Sequence, residues 1–299
     1  MRKNDDNDTE QKIIGPWRMI WLRFRKNKSA IAGLIIFTIL VLLAVFAPLL
    51  SPYTFDGMDT ANINQPPSLL HWLGTDNLGR DYFTRMLYGG RISLQVGLFA
   101  VIITVLIGTM IGGISGFYGG KVDNLLMRLA EIVMSFPFLP IAVTVSAVVG
   151  TALPPEFKMY ITMMVIGFLS WPSLARMIRG QILSLREQEF MVAAKALGLS
   201  DARMIMKHLL PNTLGYIIVS ATLGMASAIL TESAMSFIGL GVVPPTPTWG
   251  NMIQVARDSY ILANRAWLWV PPGLAIFLAV MSINLVGDGL SDAIDPKST

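Results

Sequence analysis

The hydrophobic positions of the chain are gathered into six long stretches, separated by polar segments. A helix needs about 20 mostly apolar residues to cross the hydrocarbon core of a bilayer. The fourth stretch is the weakest, because Trp171-Pro172 interrupts it, and it can extend to Ile178. We therefore predict an all-α polytopic membrane protein with six transmembrane helices. The predicted spans are Ala30–Leu50, Leu94–Phe117, Leu129–Val149, Tyr160–Leu174, Leu214–Ile238 and Trp267–Leu285.

The basic residues predict how these spans are oriented. Of the 23 Lys and Arg residues, 17 fall in the N-terminal tail, the segment after the second span, the segment 176–212 and the C-terminus. The positive-inside rule then places both termini and the 176–212 loop in the cytoplasm. The polar segment 1–28 is too long for the start of a cleaved signal peptide, so the first span is expected to remain as an anchor. The predicted regions are a cytoplasmic tail at 1–29, the first helix at 30–50, an extracytoplasmic loop at 51–93, a core of five helices at 94–285 with a loop at 179–212, and a cytoplasmic tail at 286–299.

Composition supports a membrane protein and excludes several chemistries. The chain is 53% hydrophobic and 14% charged, with a mean hydropathy of +0.57. It has no cysteine, which excludes disulfides and thiol catalysis, and His71 and His208 lie too far apart in sequence to predict a metal site. The pI is near 9.4, but the basic residues follow the membrane topology instead of forming one patch, so no nucleic-acid partner is expected.

Gly120-Lys121 has a superficial likeness to a phosphate-binding loop. The first glycine of that motif is replaced by Ser115, and Val122 stands where Ser or Thr would contact magnesium. We therefore expect this chain to bind no ATP itself. An intramembrane enzyme is also disfavoured, since it would need a catalytic dyad or metal ligands at membrane depth.

Small residues recur every four positions in the second span, at Gly108, Gly112 and Gly116. Such a face lets helix backbones approach closely in lipid, so we predict helix packing in preference to pore lining.

Intramembrane charges are few. Glu131 lies three residues from Arg128, which predicts a local ion pair in preference to a role in gating.

Glu232 is the most unusual intramembrane charge. It lies near the outer end of the fifth span, about 27 Å of helical rise from Leu214. Two interpretations stay open for it. In the first, its carboxylate reaches the headgroups or is buried against Thr231 and Ser233. In the second, it has a role in gating or substrate passage.

The outer loops 51–92 and 240–266 are rich in turn residues and look folded. They either cap the helix bundle or form a landing surface for an external substrate-delivering protein.

The polar loop before the fifth span is predicted to be a helical hairpin. Its first helix covers 185–197, which is dense in good helix formers. One face of that helix is formed by Phe190, Ala193, Ala194 and Leu197.

Gly198 is suited to the left-handed position that ends the first helix. Ser200 or Asp201 can cap a second helix that runs through Leu210, and Pro211 is expected to end it. The hairpin is either a connector or a rigid element on which a partner docks, and its length favours docking.

Six motifs, spread in order over nearly the whole chain, are characteristic of one family. Through them the sequence resembles the C-type permease subunit of the dipeptide, oligopeptide and nickel branch of bacterial ABC importers. In that family, the loop with adjacent alanines and a later glycine docks onto the ATPases. The general permease motif for this loop begins with Glu at the position that Val192 holds here. Glu189 lies three residues earlier, out of register with the motif, so it is not assigned that role. The matching segments are His71-Trp-Leu-Gly-Thr-Asp-Asn-Leu-Gly-Arg-Asp81, Ser135-Phe-Pro137, Ala193-Ala194 with Gly198 and Leu210-Pro211-Asn212, Glu232-Ser-Ala-Met-Ser-Phe-Ile-Gly-Leu-Gly241, Pro245-Thr-Pro-Thr-Trp-Gly-Asn251, and the ending 284–296.

The resemblance implies the type I ABC importer permease fold, with a coupling loop that includes Ala193, Ala194, Gly198, Leu210 and Pro211. It also implies a heterodimer with a B-type permease, two ATPase subunits that bind ATP and magnesium, and an extracytoplasmic substrate-binding protein. The implied substrate is a di- or oligopeptide, while nickel or another small solute stays open. The rival from another class is an ion-coupled secondary transporter, which the break at Pro172 supports slightly.

Overall fold

The computed structural model describes residues 15–154 and 157–294. The predicted tails fall partly outside these described residues, at 1–14 and 295–299. Within the described part the fold is helical, and the only β pairing there is an isolated bridge between Thr75 and Asp81. The predicted all-α class is confirmed.

The helices follow one another along the chain with one long loop, 51–81, before the fourth. A π-helical turn at Ile205–Leu209 separates α9 from α10, and 3₁₀ turns lie at Thr60–Asn62, Gln254–Arg257 and Ala266–Leu268. The α-helices of the described residues are α1 Pro16–Lys26, α2 Lys28–Val45, α3 Ala47–Leu50, α4 Tyr82–Tyr118, α5 Gly120–Ser135, α6 Phe138–Ala152, α7 Lys158–Arg186, α8 Glu189–Ala196, α9 Asp201–Met204, α10 Leu210–Phe237, α11 Trp249–Ile253, α12 Ser259–Asn264 and α13 Val270–Ile294.

Five helical segments are long and apolar enough to cross a membrane: α2, α4, α7, α13, and α10 with the turns before it. The sixth predicted span is the pair α5 and α6, which is bent by 86°. The prediction of one continuous helix over Leu129–Val149 was therefore wrong. Pro137 has no N–H to donate and disfavours the helical conformation at Phe136, which is extended here (φ −93°, ψ 142°).

Three of the helices extend well beyond their predicted spans. Helix α4 begins at Tyr82, because the carboxylate of Asp81 accepts the N–H of Thr84 at 2.7 Å and caps the helix. Helix α7 continues past Pro172, which was expected to interrupt it. Membrane helices tolerate an internal proline when their neighbours compensate for it. Helix α13 runs to Ile294, so the segment 286–294, which was assigned to the C-terminal tail, is helical.

The glycine face of α4 packs on α7 and brings the two backbones together. A methyl group at Gly112 would lie 2.5 Å from the carbonyl oxygen of Ala175, and one at Gly116 would lie 2.9 Å from that of Arg179. The prediction of helix packing for this face is confirmed. On the other side of the bundle, α2 lies against α13, and α13 lies against α10.

Candidate coupling hairpin and membrane cavity

The first half of the hairpin is α8, which is followed by a glycine turn. The N–H of Gly198 donates to the carbonyl of Lys195 at 3.0 Å, and the N–H of Leu199 donates to that of Ala194 at 3.3 Å. This pair of bonds is the Schellman arrangement, which needs a left-handed residue between the two segments. Gly198 has φ +70°, as predicted from the sequence.

The second half of the hairpin differs from the prediction. Ser200 occupies the N-cap of α9 without a side-chain cap bond, and α9 contains only Asp201–Met204. A π turn then leads directly into α10. Pro211 lies in the first turn of α10, directly after the π turn, and the helical backbone continues without a break from Asp201 to Phe237. The prediction that Pro211 ends a helix was therefore wrong.

The residues of the predicted docking face differ in their exposure. Ala194 is buried, whereas Ala193 points to the exterior, so the two alanines do not share one accessible face. Leu210 packs partly buried against the same hydrophobic cluster as Ala194, and Pro211 is exposed. The buried members of this cluster come from α7, the hairpin and α10: Leu174, Ile178, Ile182, Met191, Ala194, Met204, Leu209 and Ile217.

The hairpin nevertheless presents exposed apolar side chains. Leu197 is 81% exposed and Val192 is 63% exposed, and Phe190 and Met206 are also exposed. We call these four residues the apolar tip. Val192, which stands where the motif of the resembling family has glutamate, thus exposes an apolar side chain.

A cavity of about 640 Å³ lies between α4, the bend of α5 and α6, α7 and α10. Its described lining residues carry no charge. They are mostly aliphatic, aromatic or thioether side chains, together with hydroxyls from Thr104, Ser170, Ser173, Ser220, Ser227 and Thr231. A volume in this range is typical of small-molecule sites. Helices α7 and α10, which line the cavity, also carry the two ends of the hairpin.

Glu232 is not among the residues that line the cavity, although its neighbour Thr231 is. It lies about 33 Å of helical rise from Leu210 along α10. Its side chain is fully buried, and the hydroxyls of Ser236, Ser93 and Ser233 donate to its carboxylate at 2.7, 3.2 and 3.5 Å. The carboxyl group is buried against Ser233, as one interpretation predicted, but Thr231 instead donates to the carbonyl of Ser227. The role of Glu232 in gating or substrate passage stays a prediction.

The serines that bind Glu232 also hold the second outer loop. Ser93 accepts the N–H of Trp249 at 3.1 Å, and Ser236 accepts the N–H of Val242 at 3.1 Å. The sequence alone gives no sign that Ser93 contacts Glu232, because the two residues lie on different helices, or that either serine binds the outer loop. The loop 240–251 is thereby fixed to α4 and α10, which agrees with its prediction as a folded loop.

The first outer loop is ordered by ionic contacts. His71 Nδ1 lies 2.8 Å from an oxygen of Asp81, and Arg80 Nε donates to Asp76 at 2.7 Å. Groups of three or more acidic or His side chains that could hold a metal ion are not found among residues 15–154 and 157–294.

Nearer the start of this loop, the side-chain amide of Asn62 and the N–H of Ala61 donate to Asp59 and lower the pKa of that carboxyl. The loop also exposes apolar side chains, with Leu69 at 97%.

A bundle of apolar helices around an uncharged cavity, with an apolar-tipped hairpin at one end, defines a polytopic membrane transport component. The comparisons with known proteins identify its family. Residues 104–299 match the family described as binding-protein-dependent transport system inner membrane component, and residues 15–67 match the N-terminal transmembrane domain of oligopeptide transport permease C. The chain belongs to this family of ABC transporter permeases. The alternatives of an ion-coupled secondary transporter and of an intramembrane enzyme are not supported.

Several relatives are similar over almost their full length. The dipeptide transport system permease protein of Alkalihalophilus pseudofirmus is 43% identical over 284 residues, covering 95% of this chain and 91% of that protein. The oligopeptide transport system permease protein of Bacillus subtilis is 40% identical over 294 residues, covering 98% and 93%. The glutathione transport system permease protein of Escherichia coli is 40% identical over 283 residues, covering 94% and 91%.

Proposed function

We propose that this chain is the C-type permease subunit of an ATP-driven importer of di- and oligopeptides, and that it forms the translocation pore with a B-type permease. The names of the relatives support this substrate class, since they refer to dipeptide, oligopeptide and glutathione transport. Glutathione is itself a small peptide. An external binding protein delivers the peptide in this proposal, and the outer loops face that protein.

Both termini and the hairpin lie in the cytoplasm in this proposal, as the distribution of Lys and Arg favours. Two ATPase subunits, which bind ATP and magnesium, dock on the two permeases, and the apolar tip is the contact on this chain. The observation that carries the proposal is the position of the tip: it lies on a hairpin packed by Met191, Ala194 and Leu209 onto helices that line the cavity.

Closure of the ATPases on ATP would move the hairpin as a rigid body, because its inner face is part of the hydrophobic cluster with α7 and α10. Movement of α7 and α10 changes the walls of the cavity on both sides. The cycle alternates between outward and inward openings because nucleotide and peptide bind the two states with different affinities.

The uncharged lining of the cavity suits peptides of varied side chains. A fixed charge in a low-dielectric wall would attract one class of peptide strongly and repel the opposite class. Hydroxyl groups offer hydrogen bonds without that bias. In this proposal, selection therefore occurs mainly at the binding protein.

The test is uptake by a strain that lacks only this permease, with and without the gene restored. Radiolabelled dipeptide, tetrapeptide, glutathione and nickel are supplied separately. We expect the restored gene to recover uptake of at least one peptide and not of nickel. Recovery of nickel uptake alone would overturn the substrate class, and uptake that persists without functional ATPases would overturn the proposed mechanism.

A further inference from the structure

A partly buried ion pair joins the start of α5 to the end of α7. Arg179 Nε and Nη2 each donate to one carboxylate oxygen of Asp123, both at 2.5 Å. The hydroxyl of Ser115 on α4 also donates to Asp123, which is buried. A bidentate pair of this kind fixes the relative orientation of its two partners as well as their separation.

A second arginine of α7 holds the same corner of the fold. Arg186 Nη1 donates to the carbonyl oxygens of Gly116 and Phe117 at 3.1 and 3.2 Å. These carbonyls belong to the last turn of α4, where helical partners run out. The chain turns into α5 at Gly119, which has φ +64°. At the corner between α4 and α5, Arg179 thus binds a side chain of α5, and Arg186 binds backbone carbonyls of α4. We call this arrangement the arginine clamp.

The other ion pair of α5 provides a contrast. Arg128 and Glu131 are 79% and 53% exposed and lie one turn apart on the same helix, with Nη1 3.0 Å from the carboxylate. An exposed local pair contributes little and connects nothing beyond its own helix. The pair of Asp123 and Arg179, by contrast, joins two helices across 56 positions of sequence.

The clamp lies between the hairpin and the cavity wall. From Arg186, α7 passes within a few residues into α8 and the apolar tip. From Asp123, α5 leads to Val133, Met134 and Phe136, which line the cavity at the bend. The clamp therefore connects the part of the cavity wall made by α5 to α7, and through α7 to the hairpin, although α5 and the hairpin are distant in sequence.

We propose that the arginine clamp transmits the movement of the hairpin to α5, so that the hairpin, the corner between α4 and α5, and the bend at Phe136 move as one rigid body. Arg179 and Asp123 are positioning residues in this proposal, which rests on the proposed function. When the clamp is broken, the ATPases still move the hairpin, but α5 no longer follows it. ATP hydrolysis then continues with less peptide transported per ATP.

The first experiment measures peptide transported per ATP hydrolysed by the complete importer in proteoliposomes. Arg179→Gln and Asp123→Asn are expected to lower this ratio by roughly 2- to 30-fold while hydrolysis persists. Arg179→Lys keeps the charge without the bidentate geometry, so an intermediate ratio is expected. The matched control is Arg128→Gln, which removes the exposed pair of α5 and should leave the ratio unchanged. Wild-type ratios in both Arg179→Gln and Asp123→Asn would overturn the proposal.

The second experiment follows the rigid body directly. The chain has no native cysteine, so spin labels can be attached only at Asn124→Cys on α5 and Lys195→Cys on α8. The distance between them should be equal with and without ATP, and should vary with ATP when Arg179→Gln is added. A distance that changes with ATP while Arg179 is intact would overturn the clamp. Absence of peptide uptake by the unmodified importer would instead overturn the proposed function, and the label distances would still decide the clamp.

Discussion

The hydroxyl of Ser236 donates a 2.7 Å hydrogen bond to Glu232, one turn earlier on α10, and accepts the N–H of Val242 with its free lone pair. Ser93 makes the same double contact, to Glu232 and to the N–H of Trp249. Each hydroxyl has one proton, and the carboxylate accepts both of them. The carboxyl group of Glu232 thus orients the two serines that hold the outer loop.

Glu232→Gln should loosen that loop. The amide nitrogen of Gln is a donor, so one serine loses its acceptor, at a cost of about 1–3 kcal/mol for a buried hydroxyl. We expect amide hydrogen exchange in 240–251 to become faster by a factor of roughly 5 to 100 in the assembled transporter. Thr222→Val is the control, because its hydroxyl donates only to the Ile218 carbonyl within α10. Unchanged exchange in Glu232→Gln would show that the loop is held by other contacts.

The packing of α4 on α7 predicts opposite effects at two adjacent glycines. A methyl group at Gly112 would lie 2.5 Å from the Ala175 carbonyl oxygen, whereas the nearest atom to one at Gly113 is 3.8 Å away, on Leu210. Gly112→Ala should therefore destabilise the protein by about 1–3 kcal/mol. Gly113→Ala should be neutral or stabilising by up to about 1 kcal/mol, because alanine favours the helix. Thermal unfolding of the purified transporter measures both, and equal midpoints would contradict the close contact.

Hydropathy was sufficient to predict the helical class and five of the apolar spans, because the bilayer imposes the length of each span. It also located the sixth apolar region, but not its 86° bend. The left-handed conformation of Gly198 was also predictable, since few other residues adopt it. Proline, which usually interrupts or ends a helix, was a misleading signal at two positions where the packing of the bundle keeps the chain helical. Pro172 lies inside α7, and Pro211 lies in the first turn of α10, after a π turn.

The contacts that organise the candidate sites could not be predicted. Asp123 and Arg179 are 56 positions apart, and Ser93 and Glu232 are 139 positions apart. Nothing local in the sequence states that such residues meet, because their proximity depends on how the helices pack. The burial of Ala194 and the exposure of Ala193 likewise depend on how α8 is rotated against α7.

The absence of cysteine permits a clean test of membrane topology. Single cysteines at Leu69 and Ser259, which are exposed in the two outer loops, should react with an impermeant thiol reagent added to intact cells. A cysteine at Asp201, exposed on the hairpin, should react only after the membrane is opened. This pattern is expected from the positive-inside rule. Labelling of Asp201→Cys in intact cells would reverse the proposed orientation.

The last prediction concerns the turn that sets the angle of the hairpin. Gly198 has φ +70°, and a methyl group there would meet no atom within 4 Å. A substitution is therefore strained by the backbone alone, by roughly 1–2 kcal/mol for a β-branched residue. The hairpin can relieve that strain by changing the angle between α8 and α9, which would displace Leu197 and the rest of the apolar tip.

We expect Gly198→Val to insert in the membrane at near-normal levels, to retain less ATPase on co-purification, and to transport little peptide. Gly180→Ala is the matched control: that glycine is also exposed with no atom near its methyl position, but it lies within α7 at helical angles. Alanine there favours the helix and should leave both ATPase retention and uptake intact. Because the two sites offer the same space, a difference between them isolates the backbone conformation as the cause. Wild-type ATPase retention and uptake in Gly198→Val would show that the hairpin is a passive connector and that the ATPases dock elsewhere on the subunit.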